Sequence, residues 1–327
     1  MFSETVGIDL GTSYTRIYMR GQGVVLCEPT VAAIDNLSGK ILSVGTGADE
    51  MIGRTPKNVH AIRPLKHGVI SDYQVAEKVI KYFIKKALGN RLFKPSALIC
   101  VPGDISEVCE RAVIDASIGA GLKNVELCDV PMASAMGADI DVLKPRGAFI
   151  ADIGAGSSDI AVISMGGMVL NSLIKTAGES FDSAIREYIK KEKRIAIGDR
   201  AAEDIKKKCT VSDEGKESHI VKGRCLLTGL PKTAEITSEE IVPIVENVAM
   251  DIVSAILTLL ENTPPQLLSD ISESGIMLCG GGANIKGLDA LIKKHTGIEC
   301  YVADRCDECT ILGIGKMIDG ERLPKAL

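Results

Sequence analysis

The sequence predicts an α/β protein made of two similar halves, and three observations support this fold class. Apolar, β-branched runs typical of buried strands alternate along the chain with segments of helical apolar spacing. A motif of one acid, glycine and paired hydroxyls occurs twice, first in GIDLGTS and again in DIGAGSSD about half a chain later. The length of 327 residues is sufficient for two units that each bury a core.

The elements of the first half can be assigned in order. Residues 1 to about 35 predict three short strands, the third over 23–35, and the stretch that follows to about residue 72 predicts loops. Apolar residues at helical spacing around Val79 predict a helix over 72–88. The segments after it are a buried strand at 96–102, a helix at 105–121, a strand at 125–130 and a proline-opened helix at 131–140.

The second half repeats this plan. A pair of strands is predicted over 147–172, with the acid-bearing turn between them, and a helix begins at about Ser180. Residues 190–238 form a charged subregion, and a further helix precedes the segment 276–297, which contains a strand, a Gly280–Gly282 turn and a helix. Because strands alternate with helices in both halves, we predict mostly parallel sheets covered by helices.

Composition limits the classes of function. Hydrophobic residues make up 46% and charged residues 25%, as in soluble α/β proteins. The net charge of −5, the absence of Trp and the 3% aromatic content argue against a nucleic-acid partner. Ten cysteines without framework spacing favour a reducing compartment. The CxxC pair Cys306 and Cys309 lacks the second pair of a zinc site, so incidental thiols are favoured over a metal there.

Neither a signal peptide nor a membrane span is predicted. The N-terminal MFSETVGI has no basic stretch and no apolar core segment. The most apolar long stretch, residues 241–260, carries Glu246, Asn247 and Asp251 and is interpreted as an amphipathic helix. We therefore expect a cytoplasmic protein.

The repeated motif has the composition of a phosphate-binding loop. Glycine lets the backbone approach a ligand, and successive N–H groups with hydroxyls form a concave donor surface for phosphate oxygens. Asp9 and Asp152 would repel phosphate directly, so we expect them to hold a hydrated Mg²⁺ or to orient water. Each motif alone is compatible with an ordinary β-turn, but its occurrence twice favours one ligand shared by both halves. The Gly280–Gly282 turn predicts close approach of a flat ligand or a phosphate, with a mere tight turn as the alternative.

Four motifs occur in an order that resembles a known superfamily. GIDLGT, VPMASAMG, DIGAGSSD and LCGGGANIKGLD together resemble the actin, heat-shock chaperone and sugar kinase superfamily of ATP-binding proteins. Within it, the sequence is most similar to the MreB family of bacterial actin homologues, through segments such as MIGRTPKNVHAIRPLKHGVISDY, TAGESFDSAIREYI and LTGLPKTAEITSEEI. The resemblance covers essentially the whole chain.

The resemblance implies an actin-like α/β fold with two lobes, each a mixed sheet flanked by helices, and a nucleotide cleft between the lobes. The first lobe is expected over 1–143, with a small subdomain at about 33–72, and is completed by a C-terminal helix at about 312–327. The second lobe is expected over 144–311, with a small subdomain at about 183–238.

The resemblance also assigns site residues and cofactors. ATP and Mg²⁺ are implied, with Asp9 and Asp152 as the catalytic acids and as Mg²⁺ ligands through water. The implied nucleotide-binding residues are Gly11, Thr12 and Ser13 in the first loop, Gly154, Ala155, Gly156, Ser157 and Ser158 in the second loop, Glu203, Lys206 and Lys207 beside the adenosine, and Gly280, Gly281 and Gly282 in the adenine-side turn. Ser157 and Ser158 replace the usual Thr pair of the family and keep its hydroxyl donors.

One position departs from the family pattern. Members of the family resemble one another in a Glu directly before the proline that opens the helix at 131–140, and that acid is expected to position the water that attacks the γ-phosphate. Here the position is Val130. Asp129 precedes it, but adjacent strand residues point to opposite faces. Because such a loss costs about 10²–10⁴ in rate, we expect ATP binding with slow hydrolysis; compensation by Asp129 or by a water network is the alternative.

A second question concerns the membrane. GNRLFKP places Leu92 and Phe93 between two basic residues, directly after a predicted helix. From the residues alone, an apolar contact that closes the helix end is the favoured interpretation. The resemblance instead implies a membrane-inserting loop at these two residues.

The resemblance therefore implies an ATP-binding filament subunit that organises cell-wall synthesis and determines rod shape. Its implied partners are copies of itself in paired protofilaments, the inner face of the cell membrane and the cell-wall elongation machinery. Both a principal family member and a paralogue remain open, and Val130 favours the paralogue. The alternatives on this fold are a sugar- or acetate-type kinase, for which no carboxylate base is evident near Val130, and a chaperone ATPase domain, for which no substrate domain follows residue 327.

Overall fold

Strands and helices alternate through the first half of the chain. The computed structural model describes residues 5–89, 94–208 and 218–320. The elements of the first half are β1 (Thr5–Leu10), β2 (Tyr14–Met19), β3 (Gly23–Pro29), β4 (Ala32–Asp35), β5 (Ile41–Val44), α1 (Thr46–Asp49), β6 (Val59–Ile62), β7 (Leu65–Lys66), β8 (Val69–Ile70), α2 (Tyr73–Leu88), β9 (Ser96–Val101), α3 (Glu107–Gly119), β10 (Val125–Asp129) and α4 (Val130–Gly137).

The second half of the chain follows the same order of strand hairpins and crossover helices. Its elements are β11 (Ala148–Ile153), β12 (Ser158–Ser164), β13 (Gly167–Ile174), α5 (Gly178–Tyr188), β14 (Ile195–Ala196), α6 (Asp199–Lys208), β15 (Ser218–Cys225), β16 (Pro231–Thr237), α7 (Ser238–Glu261), α8 (Pro265–Ser274), β17 (Ile276–Cys279), α9 (Leu288–Thr296), β18 (Cys300–Val302) and α10 (Cys309–Asp319). A π-helical turn over Ile189–Lys193 continues α5, and a 3₁₀ turn over Gly281–Asn284 follows β17.

Two five-stranded sheets form the centre of the molecule, and they share one topology. The strand order is β10-β9-β1-β2-β3 in the first sheet and β13-β12-β11-β17-β18 in the second. In each sheet three strands pair antiparallel through consecutive connections, and two later strands join in parallel. The duplication predicted from the two motifs is therefore present in the architecture. The sheets are mixed, so the prediction of mostly parallel sheets was wrong, because short turns make antiparallel neighbours of the first three strands in each half.

Other element predictions need correction. The third strand expected over 23–35 is interrupted at residues 30–31, and β3 and β4 belong to different sheets. The strand pair expected over 147–172 is three strands, since Gly166 and Gly167 permit a second hairpin turn between β12 and β13. The single helix expected before residue 276 is two helices, separated near the Pro264–Pro265 pair.

Each half also carries a small three-stranded sheet. The first, β5-β4-β6, lies within the region predicted as a small subdomain at about 33–72, and the second, β14-β15-β16, lies within the region predicted at about 183–238. The lobe boundaries themselves stay predictions. The C-terminal helix expected over 312–327 begins earlier, at Cys309, and residues 321–327 lie outside the described residues.

Two apolar cores hold the sheets to their helices. In the first half, β-branched residues of β1 and β9 pack against α2, whose start is capped by Asp72 accepting from Val75 N at 3.1 Å. In the second half, β11 and β12 pack against α5 and α7. Of the described helices, α7 has a length and an apolar composition that would allow it to cross a membrane. Its residues Ile241, Ile252 and Ile256 are buried in the second core, as the amphipathic interpretation predicts.

Helices α4 and α10 cross between the two sheets with their backbones in contact. α10 packs on β1 and β2, whereas α4 packs on β11 and β12. A Cβ atom on Gly313 would lie 1.8 Å from Ala133 O, and one on Gly137 would lie 1.8 Å from Cys309 O. Only residues without side chains permit this approach, so the crossing fixes how the two sheets meet.

Adding one methyl group at this crossing should destabilise the protein. In a helix, Gly→Ala normally stabilises by about 1 kcal/mol, but at Gly313 the methyl group overlaps the carbonyl of Ala133. We expect Gly313→Ala to lower the free energy of unfolding by about 1–3 kcal/mol or more, measured by denaturant titration. Gly167→Ala is the matched control, because its Cβ would meet nothing closer than 3.9 Å. Equal stability of the two variants would contradict the close contact.

Candidate functional site

The two repeated motifs face each other across one cleft. The cleft has a volume of about 790 Å³, within the range of small-molecule sites. The turn between β1 and β2 lines it from one side and the turn between β11 and β12 from the other. The prediction that each half contributes one loop to a common site is thus matched by the geometry.

The first loop is shaped by internal hydrogen bonds. Gly11 N donates to Tyr14 O at 3.1 Å and closes the turn. Thr12, which is buried, accepts at Oγ1 from Gly68 N at 3.1 Å, so the β7–β8 hairpin holds the loop from behind. The N–H groups of Thr12 and Ser13 form no hydrogen bond with another described residue. They remain as donors toward the cleft.

The second loop is held by the start of α5. Gly178 N and Glu179 N donate to the carbonyls of Gly154 and Ala155 at 3.1 and 2.8 Å. These bonds use two carbonyl groups of the loop and none of its N–H groups. The N–H groups of Ala155, Gly156 and Ser157 have no partner within the described chain, and such a run of unpaired N–H groups is the arrangement that binds anions.

The two loops touch because residue 156 is glycine. A Cβ atom there would lie 2.7 Å from Thr12 Oγ1 and 3.0 Å from His67 N. The Gly156 carbonyl is also 2.7 Å from His67 Nδ1. Any side chain at this position would push the halves apart at the point where the ligand has to be enclosed.

Almost every predicted site residue lines this cleft. The lining residues among them are Asp9, Gly11, Thr12, Ser13, Val130, Asp152, Gly154, Ala155, Gly156, Ser157, Glu203, Lys206, Lys207, Gly280, Gly281 and Gly282. Ser158 is different. It is the buried first residue of β12 and its hydroxyl donates to Thr176 O at 2.7 Å, so the structure does not bring it to the cleft.

The predicted adenosine contacts lie on α6. Glu203 and Lys207 form an ion pair at 2.8 Å and both are partly exposed to the cleft. Lys206 is more constrained, because its ammonium group donates to Gly178 O at 3.0 Å and pairs with Asp182 at 2.8 Å. Lys206 therefore connects α6 to the start of α5. Glu203 and Lys207 are paired with each other, and their side chains are more accessible to a ligand than that of Lys206.

Three acids on strands form the negative floor of the cleft. Burial raises the pKa of Asp9 to about 6, against the opposing charge of Arg16, whose Nη1 is 3.6 Å away. Burial also raises the pKa of Asp152, although Ser134 and Thr310 donate hydrogen bonds to its Oδ2. Such a concentration of buried carboxylates favours a bound cation.

The third acid, Asp159, was not singled out from the sequence. It is paired with Asp152 in the β11–β12 register, so both side chains lie on one face of the sheet. Burial raises the pKa of Asp159 to about 8, and the charges of Asp152, Asp129 and Asp104 add to the effect, while the N–H of Gly103 opposes it. The sequence did contain a signal for this residue, because Asp159 is the second acid of DIGAGSSD, seven residues after Asp152.

Val130 and Asp129 occupy different environments. Val130 is the first residue of α4 and lines the cleft, whereas Asp129 ends β10 and does not line it. Burial raises the pKa of Asp129, and the charge of Glu110 raises it further. The expectation that Asp129 does not simply replace its neighbour is consistent with this placement, although a strand-to-helix junction, and not strand alternation, separates the two side chains.

Polar contacts among Asp49, Arg63 and Arg200, which line the cleft, link the two halves of the chain. Arg200 on α6 donates from Nη2 to Asp49 Oδ2 at 2.7 Å and to Asp49 O at 2.8 Å. Arg63 also reaches Asp49, at 3.6 Å, and donates to Ser13 O at 3.1 Å. These contacts connect α6 with α1, and α1 with the first loop. Sequence analysis did not identify them because the partners are remote in the chain.

Two further predictions concern residues other than those of the predicted nucleotide site. Leu92 and Phe93 lie outside the described residues. Cys306 and Cys309 are free, buried thiols. Within the ranges 5–89, 94–208 and 218–320, no group of three or more His, Cys, Asp or Glu side chains is arranged to hold a metal ion directly.

The residues of the cleft fit a polyphosphate with a hydrated cation. The unpaired N–H groups and hydroxyls of both loops supply donors for phosphate oxygens, and Asp9 and Asp152 supply carboxylates for the water shell of Mg²⁺. A cation held by two acids alone needs water and phosphate oxygens to complete six oxygen ligands, which agrees with a metal bound together with its nucleotide.

Comparison with known proteins yields consistent matches. The sequence matches the MreB/Mbl protein family over residues 3–325. It is 44% identical over 329 residues to the cell shape-determining protein Mbl of Bacillus subtilis (strain 168), with 99% of both chains covered. It is 41% identical over 327 residues to the cell shape-determining protein MreB of Escherichia coli (strain K12), with 98% of this chain and 94% of the relative covered.

Solved structures give the same answer for the fold. The crystal structure of MreB5 of Spiroplasma citri bound to AMPPNP superposes with a TM-score of 0.92 at 34% identity, covering 97% of this chain and 96% of that chain. The MamK double helical filament, at 23% identity and a TM-score of 0.80, is similar in fold. The predicted actin-like fold class is confirmed by these matches.

Replacing Asp159 by asparagine should stabilise the ligand-free protein, and the gain should grow with pH. The pKa of Asp159 is about 8 in the folded state and about 3.9 in an unfolded chain. Between these values the folded protein binds a proton that the unfolded chain has lost, so the free energy of unfolding falls as pH rises. Asparagine removes this dependence and keeps an acceptor for Gly103 N.

We expect the thermal midpoint of Asp159→Asn to exceed that of the parent by more at pH 8 than at pH 5. Asp115→Asn, at an exposed position on α3, is the control and should differ little from the parent at either pH. A gain that is absent at pH 8, or larger at pH 5, would contradict the raised pKa.

Proposed function

Because the chain belongs to the MreB/Mbl family, we propose that it is an ATP-binding, actin-like filament subunit that determines cell shape by organising cell-wall synthesis. The observation that carries the proposal is the convergence of two glycine-and-hydroxyl loops with unpaired N–H groups on one cleft. The relatives named above are cell shape-determining proteins, and MreB5 of Spiroplasma citri has been crystallised with AMPPNP and with ADP.

The residues of the cleft have distinct tasks in this proposal. The two loops bind the phosphates through their N–H groups, with Thr12, Ser13 and Ser157 adding hydroxyls. Asp9 and Asp152 hold Mg²⁺ through water. When bound, Mg²⁺ neutralises phosphate charge and polarises the terminal phosphoryl group. The remaining lining residues proposed to contact the adenosine are Glu203, Lys206, Lys207, Gly280, Gly281 and Gly282, with Lys206 acting chiefly through its bond to Asp182.

We propose that nucleotide binding promotes self-association. A ligand that contacts both loops favours the closed arrangement of the halves, and closure is the conformational change available to a two-lobe protein. We propose homopolymers of paired protofilaments at the cytoplasmic face of the membrane, together with the cell-wall elongation machinery. The matched relatives give no support to the alternative of a small-molecule kinase.

The test of the function is ATP-dependent assembly with binding measured separately. Purified protein should take up Mg-ATP by calorimetry and should pellet on ultracentrifugation with ATP. Asp152→Asn should weaken Mg-ATP binding by about tenfold or more, since one carboxylate of the cation site is lost. Asp115→Asn is the matched control, because that acid is exposed and remote from the cleft. A well-folded protein that takes up no ATP, or an Asp152→Asn variant that binds and assembles normally, would contradict the proposal.

Slow hydrolysis is proposed from the side chain at position 130. Val130 gives the cleft an apolar surface where the family pattern expects an acid. Phosphate binding uses other residues, so it should not depend on this position. Slow hydrolysis would keep subunits in the ATP state and make filaments long-lived.

Restoring the acid should accelerate hydrolysis. Val130→Glu supplies a carboxylate at the start of α4, and we expect phosphate release to rise by about 10–100-fold, measured with a coupled phosphate assay at saturating ATP. Val130→Gln is the control, because it has the same shape without the charge. A parent rate equal to that of acid-bearing relatives, unaffected by Val130→Glu, would reject the role of this position.

Membrane attachment is proposed at Leu92 and Phe93. Burying one such side chain yields about 1.5–3 kcal/mol, so a single subunit gains about 3–6 kcal/mol, which corresponds to millimolar affinity at best once ordering costs are included. Stable attachment then requires many subunits acting together in one filament.

Removing these two side chains should abolish membrane binding. We expect Leu92→Ser/Phe93→Ser protein to remain in the supernatant of a liposome co-sedimentation experiment with ATP, under conditions in which the parent pellets with lipid. Leu37→Ser is a matched control, since Leu37 is 90% exposed in the turn between β4 and β5. Co-sedimentation of the double variant at parental levels would exclude Leu92 and Phe93 as the anchor.

A further inference from the structure

Asp159 is a carboxylate of the cleft that the proposed function leaves without a task. It is 3% exposed, yet it belongs to the cleft wall. Among the described residues, the only group that donates to its oxygens is the N–H of Gly103, at 3.2 and 3.3 Å. Within residues 5–89, 94–208 and 218–320 it forms no ion pair. A carboxylate has about four acceptor sites, so most of its hydrogen-bonding capacity is available to water or to a ligand.

The strand register places Asp159 beside the cation site. Asp152 and Asp159 are directly paired across β11 and β12 and project from the same face. Directly paired residues have Cβ atoms about 4.5–5.5 Å apart. Asp159 therefore borders the part of the cleft in which Asp152 and the second loop face the phosphates.

The neighbouring acids on the strands are already engaged. Asp9 pairs with Arg16 at 3.6 Å. Asp152 accepts from Ser134 and from Thr310, the latter at 3.2 Å. Asp159 alone of the three has no side-chain partner among the described residues, and thus is free to bind a water molecule.

Val130 lines the same cleft and offers no hydrogen-bonding group. Resting on the proposed function, we propose that Asp159 positions the water that attacks the terminal phosphate of ATP, in place of the acid that is absent at position 130. Asp129 does not line the cleft and does not serve this purpose.

The reaction is balanced without another reactant. Asp159 accepts a hydrogen bond from the water, whose oxygen forms a bond to the γ-phosphorus. The bond from that phosphorus to the β–γ bridging oxygen breaks, and its electron pair stays on ADP. The released phosphate carries both hydrogens of the water as H₂PO₄⁻. Asp159 orients the oxygen and is unchanged at the end of the cycle.

The contact with Gly103 links this arrangement to closure of the cleft. Gly103 follows β9 in the first half, whereas Asp159 lies on β12 in the second. The Gly103 carbonyl accepts from Asn171 Nδ2 at 2.6 Å, which adds a second bond between the halves at the same point. The orientation of Asp159 therefore depends on how closely the two halves approach.

A four-protein comparison tests the inference: the parent, Asp159→Asn, Val130→Glu and the double variant. For each, the affinity for a fluorescent ATP analogue with Mg²⁺ and the single-turnover rate of phosphate release are measured at a pH above the pKa of about 8 that Asp159 has in the ligand-free protein, so that its carboxyl group is ionised. Asparagine retains the size of the side chain and an acceptor for Gly103 N. We expect Asp159→Asn to lower the rate by about 10–100-fold, with affinity within about threefold of the parent. In the Val130→Glu background, Asp159→Asn should lower the rate of phosphate release by less than about threefold, because the new acid orients the same water.

Three results of the four-protein comparison would overturn the inference: a parental rate in Asp159→Asn, an equal loss of rate in both backgrounds, or a loss of ATP affinity that accounts for the lost rate. Asp159→Glu is a second, charge-retaining variant, and it should hydrolyse ATP faster than Asp159→Asn. A rate for Asp159→Glu no higher than for Asp159→Asn would also count against it. Failure of the proposed function is distinguishable, because in that case none of the proteins, including the parent, binds the analogue.

Discussion

The structure depends on bringing buried negative charge from two halves to one place. Asp9 belongs to the first sheet, and Asp152 and Asp159 belong to the second. In the protein alone this convergence is unfavourable, and burial raises the pKa of all three carboxyls. Arg16, Ser134 and the Gly103 N–H offset only part of the cost. In the proposed function, a cation carried in with a polyphosphate supplies the missing positive charge, so we expect the cleft to be electrostatically complete only with its ligand.

The β7–β8 hairpin and one ion pair connect the halves around these acids. The first loop rests on Gly68, the second on His67, and both residues belong to the short β7–β8 hairpin. The ion pair joins Arg200 to Asp49. These are individually weak, partly exposed interactions. Because these contacts are weak, we expect the proposed ligand, and not the protein alone, to set how far the cleft closes.

The fold class, and the meeting of the two loops at one cleft, could be predicted because the loop motifs are local and occur twice. The residues of GIDLGTS and DIGAGSSD lie within one turn each, so composition alone indicates donors and acids. Asp159 required the hairpin register, which pairs it with Asp152 only if the turn between them has the observed length. Ser158 was assigned to the loop although it begins β12, and the bridge between Arg200 and Asp49 spans 151 residues. Tertiary pairing of this kind leaves no pattern in a single sequence.

The crossing of α4 and α10 restricts the kind of motion that the molecule can make. Their backbones meet at Gly137 and Gly313 with no side chain between them. Sliding of one helix along the other would drive neighbouring side chains into the facing carbonyls, whereas rotation about the contact leaves the two glycines together. The two sheets are therefore joined by a pivot that permits hinge bending and resists shear.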